Sequence, residues 1–178
     1  FKLVNIKSTR EVVNKYRDQI FKLLNECYSP LYGVVPITPK LEKQLVSQFK
    51  LIVDKKFIAM VTNDKDELIG FGLVFPSIAE AMQEMKGKLF TPKIFKLLKA
   101  VKHPKVVDTV FIAVRPDYRA KGVPAFIINE ILSNLIKLGV EEAESLLQLE
   151  TNVNIKNAFD DFDRRQHKRR RCYIKKID

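Results

Sequence analysis

The strongest chemistry in the sequence lies in AVRPDYRAKGVPA, residues 113 to 125. This stretch leaves the apolar run VVDTVFIAV (106 to 114), crosses a polar turn holding Arg119, Lys121 and Gly122, and enters a second apolar run. A buried strand, a short loop and a helix form a βα unit, and the helix start presents N–H groups with no partner inside the helix. Those donors and the positive end of the helix dipole attract phosphate. Gly122 lets the main chain approach a ligand closely and adopt conformations closed to side chains. Arg119 and Lys121 add positive charge beside it. The chemistry is that of a pyrophosphate cradle; the plain alternative is a basic loop that only joins strand to helix.

No metal chemistry accompanies the turn. His103 and His167 stand isolated, and Cys27 and Cys172 lack ligand spacing, so no metal site is expected. The chain has 178 residues, 46% hydrophobic and 30% charged, which fits one compact domain over 1–178. Two cysteines and no signal-like opening run fit a reducing, cytoplasmic compartment. No apolar stretch is long enough to span a bilayer, and no membrane partner is expected. The chain opens at Phe1 rather than Met, which fits a processed chain or a part of a longer protein. A formal charge of +11, much of it in RRQHKRRR (164 to 171), leaves three readings: a nucleic acid, a phosphate-rich small molecule, or a solvated basic edge.

The elements that must position the turn follow from periodicity. KLVNIKS (2 to 8) alternates as a strand, Ser8 or Thr9 caps a helix, and Val12 or Val13, Tyr16, Ile20, Leu23, Leu24 and Cys27 recur at helical spacing. Thr38 and Pro39 begin a second helix, with Leu41, Leu45, Phe49 and Ile52 on one face. KKFIAMVT (55 to 62) and ELIGFGLVF (67 to 75) predict an antiparallel hairpin around NDKD. Two short helices are expected over 77 to 103, then a central strand at 106 to 114 buried on both faces. Ile127 or Ile128, Ile131, Leu135 and Leu138 predict a helix ending at Gly139. A strand at 144 to 152, a short helix at 154 to 163 and a last strand at 171 to 177 complete an α/β fold with a mixed sheet.

VRPDYRAKGV resembles the acetyl-coenzyme A loop of the GNAT N-acetyltransferase superfamily, whose motif runs Arg or Gln, two residues, Gly, one residue, Gly or Ala. Here it reads Arg119-Ala120-Lys121-Gly122-Val123-Pro124, after Val-x-Pro-x-Tyr-Arg as Val114 to Arg119. The element order is similar over nearly the whole chain, and the ending HKRRRCYIKKI resembles a bacterial GNAT-like branch. The resemblance implies a mostly antiparallel central sheet flanked by helices and acetyl-CoA as acyl donor. It further implies that the amides of residues 119 to 125, Ala125 included, hold the pyrophosphate, and that the backbone of Ala113 and Val114 pairs with the pantetheine arm where two strands splay. Asn154 resembles an asparagine found near coenzyme A, displaced by one residue. Pro124 stands where Gly or Ala is usual and removes one donor, although proline suits a first helical turn. Phe162 stands where many members carry the tyrosine that protonates the departing thiolate.

Acetyl transfer to an amine needs a neutral amine, a proton route and oxyanion stabilisation, the last from a main-chain N–H near Val114. Asp108 is a base in this resemblance, made stronger by desolvation, or else a strand-start residue in solvent. Glu150 is an alternative acting through water. Tyr173 is a candidate proton donor, and Tyr28, Tyr32 and Tyr118 either line the site or pack. The segment 77 to 103 reads as a helical insertion beside the acceptor, with Met82, Met85, Phe90 and Phe95 as an adaptable lining. The acceptor is a small-molecule or peptide amine; the oligomeric state stays open, a homodimer among the options. Two other classes remain: a non-catalytic module that binds coenzyme A or another ligand, and a nucleic-acid or ribosome-binding protein. The absence of aromatics within the basic run weighs against the last.

Overall fold

The computed structural model describes residues 1–49, 53–86, 88, 92–152, 160 and 162–176. They divide into two compact units, 1–146 and 147–178. The first holds a five-stranded sheet in chain order: β1 (Lys2–Leu3), β2 (Ile58–Thr62), β3 (Leu68–Pro76), β4 (Val106–Val114) and β5 (Glu142–Ser145). The first four strands pair antiparallel and β5 runs parallel to β4. Five helices accompany them: α1 (Thr9–Tyr28), α2 (Pro39–Phe49), α3 (Ala79–Glu84), α4 (Ile94–Lys102) and α5 (Val123–Lys137). This is the mixed, mostly antiparallel sheet with flanking helices that the sequence predicts.

Local chemistry explains where these elements start. Ser8 caps α1 by accepting the Glu11 N–H, while the Glu11 carboxylate accepts the Lys7 N–H at 3.0 Å, a reciprocal cap. Thr38 caps α2 through the Leu41 N–H. Asn63 closes the β2–β3 turn, its side-chain oxygen accepting the Lys65 and Glu67 N–H groups, both at 2.9 Å.

Alternation along the strands gives the sheet two apolar faces. On one, α1 buries Val12, Tyr16, Ile20 and Leu24 against Ile58, Met60, Phe71 and Ala113. On the other, α5 buries Val123, Ile127, Ile131 and Leu135 against Ala59, Val61, Ile69 and Val107. The second contact is unusually close, because β3 has two glycines beneath the helix. A Cβ at Gly70 would come within 2.7 Å of Ile127 Cδ1, and one at Gly72 within 2.5 Å of Ile127 Cγ2. Only the missing side chains let α5 lie this near the sheet.

Three expected strands differ from the structure. The first stops at Leu3, with one further bond from Val4 N–H to Met60 C=O. The strand expected at 144 to 152 is present only as 142 to 145, for a reason given below. Residues 171–176 form no strand: Tyr173 and Ile174 are 83% and 90% exposed, and alternation without a neighbouring ladder and a face to bury does not make a strand. The helix expected at 154 to 163 falls mostly outside the described residues. In the second unit Arg164 pairs with Asp160 and Arg169 with Glu150.

Gly72→Val should destabilise the chain by about 2–3 kcal/mol, since Ile127 and Ile131 cannot both retreat from a closely packed interior. Chemical denaturation checks this, and the loss should exceed that of Gly33→Ala, where an added Cβ meets nothing within 4 Å and only the left-handed φ of +77° is strained.

Candidate functional site

The site is built along the outer edge of β4, and one extra residue decides its layout. Leu73 pairs with Phe111 and Val74 with Thr109, so Val110 is an additional residue on β4. Before this bulge, Lys105, Val107 and Thr109 turn their main chain toward β5: Lys105 C=O accepts the Glu141 and Glu142 N–H groups, and Thr109 C=O accepts Leu146 N–H at 3.4 Å. After it, parity switches. Arg115 N–H donates to Ile69 C=O at 2.9 Å, so the alternation of an antiparallel ladder aims Arg115 and Ala113 at β3 and Val114 and Ile112 at the open side. β5 pairs with β4 only as far as Thr109, leaving residues 110 to 114 beyond it. The two strands part where the bulge lies, which is why β5 is shorter than its sequence pattern.

Side chains from two distant elements cap this open edge. The Tyr28 hydroxyl, at the C-terminal end of α1, donates to Ile112 C=O at 3.1 Å and accepts Ile112 N–H at 3.3 Å. Its ring meets Phe111 edge-on at 5.9 Å. The neighbouring Cys27 thiol donates to Val114 C=O at 3.3 Å, and Arg119 Nε donates to the same oxygen at 3.0 Å. Burial pushes the Tyr28 phenol above its usual range, against the opposing effect of the Ile112 bond, so it stays protonated at neutral pH. Burial likewise pushes the Cys27 thiol up, partly offset by Arg119.

The edge ends at the cradle. Residues 116–121 form a 3₁₀ turn, and Gly122 adopts φ +80°, the left-handed conformation that favours glycine, before α5 begins with Val123 and Pro124. The first bond of α5 runs from Phe126 N–H to Gly122 C=O, which leaves the Val123 and Ala125 amides outside the helix's own bonds; Pro124 has none to give. A Cβ at Gly122 would meet nothing within 4 Å, so the position is open. Arg115 and Lys121 both lie over the Tyr118 ring, 4.7 and 4.6 Å from its centre. Arg115 grips Asp117 with two bonds of 2.8 and 2.9 Å, which holds the Asp117 carboxyl below the usual carboxylate range. That ion pair fixes the bend between strand and helix.

The structure therefore brings together Val114, Arg119, Ala120, Lys121, Gly122, Val123, Pro124 and Ala125. Ala113 needs correction: it is buried and its main chain faces β3, so the edge groups available to an added strand are those of Ile112 and Val114. Asp108 is half-buried in β4, four residues before Ile112 and about 13 Å from it along the strand. Glu150 and Tyr173 belong to the second unit, where Glu150 pairs with Arg169 and Tyr173 is exposed. Asn154 lies outside the described residues. The pair α3 and α4 leaves the sheet at Pro76 and returns at Val106, the end of β4 about 27 Å from Val114. Sequence reading missed Cys27 and Ile112 and left Tyr28 unassigned, since nothing local signals contacts 84 and 87 residues apart. Among the described residues no group of three or more His, Cys, Asp or Glu is placed to hold a metal.

Comparison with known proteins bears on the fold. The structure is similar to glucosamine-6-phosphate N-acetyltransferase from Arabidopsis thaliana, with a TM-score of 0.54, 11% identity, and coverage of 95% of this chain and 97% of that one. It is also similar to the aminoglycoside antibiotic 6'-N-acetyltransferase of Acinetobacter haemolyticus, with a TM-score of 0.53, 16% identity, and coverage of 98% and 100%. The fold is thus that of the GNAT acetyltransferases. In sequence, the chain is 24% identical over 162 residues to a bacterial ceramide synthase of Caulobacter vibrioides, covering 88% of this chain. It spans 42% of that relative's length. No family model matches the chain.

Thiol labelling tests the capped edge. Cys172, which is exposed, should react with an alkylating reagent at neutral pH at least about tenfold faster than Cys27, whose thiol is half-buried and whose thiolate is disfavoured. Mass spectrometry of timed digests gives the two rates.

Proposed function

We propose that this chain is an acyl-coenzyme A-dependent N-acyltransferase. The observation that carries the reading is the stretch of β4 left beyond β5, with Ile112 and Val114 aimed outward and the Gly122 cradle at its end. An extended pantetheine arm would pair with these main-chain groups, and the Val123 and Ala125 amides with Lys121 would meet the pyrophosphate. The likeness in fold to N-acetyltransferases supports the same reading.

The present caps on that edge acquire roles in it. An incoming donor displaces the Tyr28 hydroxyl from Ile112 by a short distance, leaving a half-buried, protonated phenol beside the reacting thioester. Tyr28 is then the proton donor to the departing thiolate, a role Phe162 cannot fill. Asp108, about 13 Å along β4 from Ile112, is the proposed base and would reach the acceptor amine through bridging water.

An apolar cleft between α1, α2 and the sheet suggests the kind of substrate. Val12, Ile20, Leu24, Leu45 and Phe111 are among its walls, and Phe111 touches Tyr28. A cleft lined this way suits an alkyl chain, carried by the acyl donor or the amine, and the likeness to a ceramide synthase points the same way.

Gly122→Val should weaken coenzyme A binding roughly tenfold or more, by placing a β-branched side chain where the phosphate approaches. Calorimetry that finds unchanged affinity sinks the cradle. Tyr28→Phe should lower kcat on the order of a hundredfold, with donor affinity within about threefold of the parent. Turnover of acetyl-, octanoyl- and palmitoyl-coenzyme A with and without amines tests the reaction itself. Tight donor binding with no amine-dependent turnover would assign the chain to the non-catalytic coenzyme A-binding class.

A further inference from the structure

α4 has the make-up of a helix that lies on a lipid surface. Its nine residues, IFKLLKAVK, bury no side chain. Phe95 and Leu98, three positions apart and therefore on one face, are 73% and 49% exposed. Ile94, Leu97 and Val101 are half-buried along another face. Lys102 lies on the outer ridge and Lys99 beside it, Lys93 and Lys96 lie farther round the helix, and no acidic residue occurs from 92 to 103.

The cations differ in what holds them. Lys93 donates to the Glu84 C=O and Lys96 pairs with the Glu84 carboxylate, both at the end of α3, and these bonds tie α4 to α3. Lys99 and Lys102 have no ion pair among the described residues. A solvated basic face would need the lysines but not an aromatic and an aliphatic side chain in water between them. A nucleic acid would likewise leave Leu98 unused. A second copy packed on the same ridge would bring two sets of lysines together, which repels.

We infer that α4 docks this chain on an anionic lipid bilayer, with Phe95 and Leu98 in the headgroup–acyl boundary and the lysines on the acidic headgroups. Lysine stems extend along the apolar ridge while their ammonium groups reach the phosphates. The helix is only about 14 Å long, so neither signal suffices alone and binding needs both. The expectation of no membrane partner is amended accordingly: no helix among the described residues is long and apolar enough to cross a membrane, but α4 can lie on one. This inference stands independently of the acyl-transfer reading.

Sedimentation of the full chain with phosphatidylcholine vesicles, with and without phosphatidylserine, tests it. The chain should pellet with phosphatidylserine vesicles and stay in solution with phosphatidylcholine alone, and high salt should release it. Phe95→Ser/Leu98→Ser and Lys99→Glu/Lys102→Glu should each reduce partitioning roughly tenfold while leaving the melting temperature unchanged. No binding to anionic vesicles overturns the inference. So does undiminished binding of the Phe95→Ser/Leu98→Ser variant, which would assign the attraction to another basic segment such as 164 to 171. A concentration-dependent dimer that this variant abolishes would give the ridge to a second copy and overturn it equally.

Discussion

The close approach of α5 to β3 governs the geometry of the whole candidate site. Gly70 and Gly72 remove the side chains that would otherwise stand between Ile127, Val123 and the sheet. Because α5 starts at the cradle, the distance of this helix from the sheet also sets where Gly122 and the free amides lie relative to the end of β4. The interior contact that stabilises the second face of the sheet therefore also aims the helix N-terminus.

The bulge at Val110 is the second constraint, and it acts on the main chain. A strand of uniform register would direct odd-numbered residues toward β5 along its whole length and leave Ile112 and Val114 bonded to β3. One inserted residue reverses this, ends the pairing with β5 and exposes two outward-facing peptide units. Unsatisfied main-chain groups are costly unless something bonds them. Tyr28, Cys27 and Arg119 do so in the present state. Each of these caps is a side chain, able to turn aside more readily than a strand, so the edge is protected against non-specific pairing while it stays open to exchange.

Charge is distributed according to local task rather than as one field. Arg115 is held by Asp117 and Glu67 and shapes the turn, Arg119 caps a carbonyl, and Lys121 lies over Tyr118 at the cradle. In the second unit, Arg164 and Arg169 are held by Asp160 and Glu150. The net charge of +11 thus describes several separate devices, and in α4 it sets Lys99 and Lys102 beside the exposed Phe95 and Leu98.

The sequence by itself determined the helices of the first unit, the hairpin, the central strand and the glycine turn before α5, because each depends on interactions within a few residues. Ser8 and Thr38 cap their helices, Asn63 closes its turn, and Gly122 before Val123 and Pro124 marks a left-handed residue at a helix start. The length of β5, the direction of the Ile112 and Ala113 peptide units and the placement of Tyr28 were decided only by tertiary structure. They depend on a one-residue offset between paired strands and on contacts 84 and 87 residues apart, and periodicity along a single strand carries no information about its partner's register. RCYIKK shows the same limit from the other side. Its alternation is as good as that of a strand, yet without a neighbouring edge to bond and a face to cover, its backbone gains nothing by extending into one.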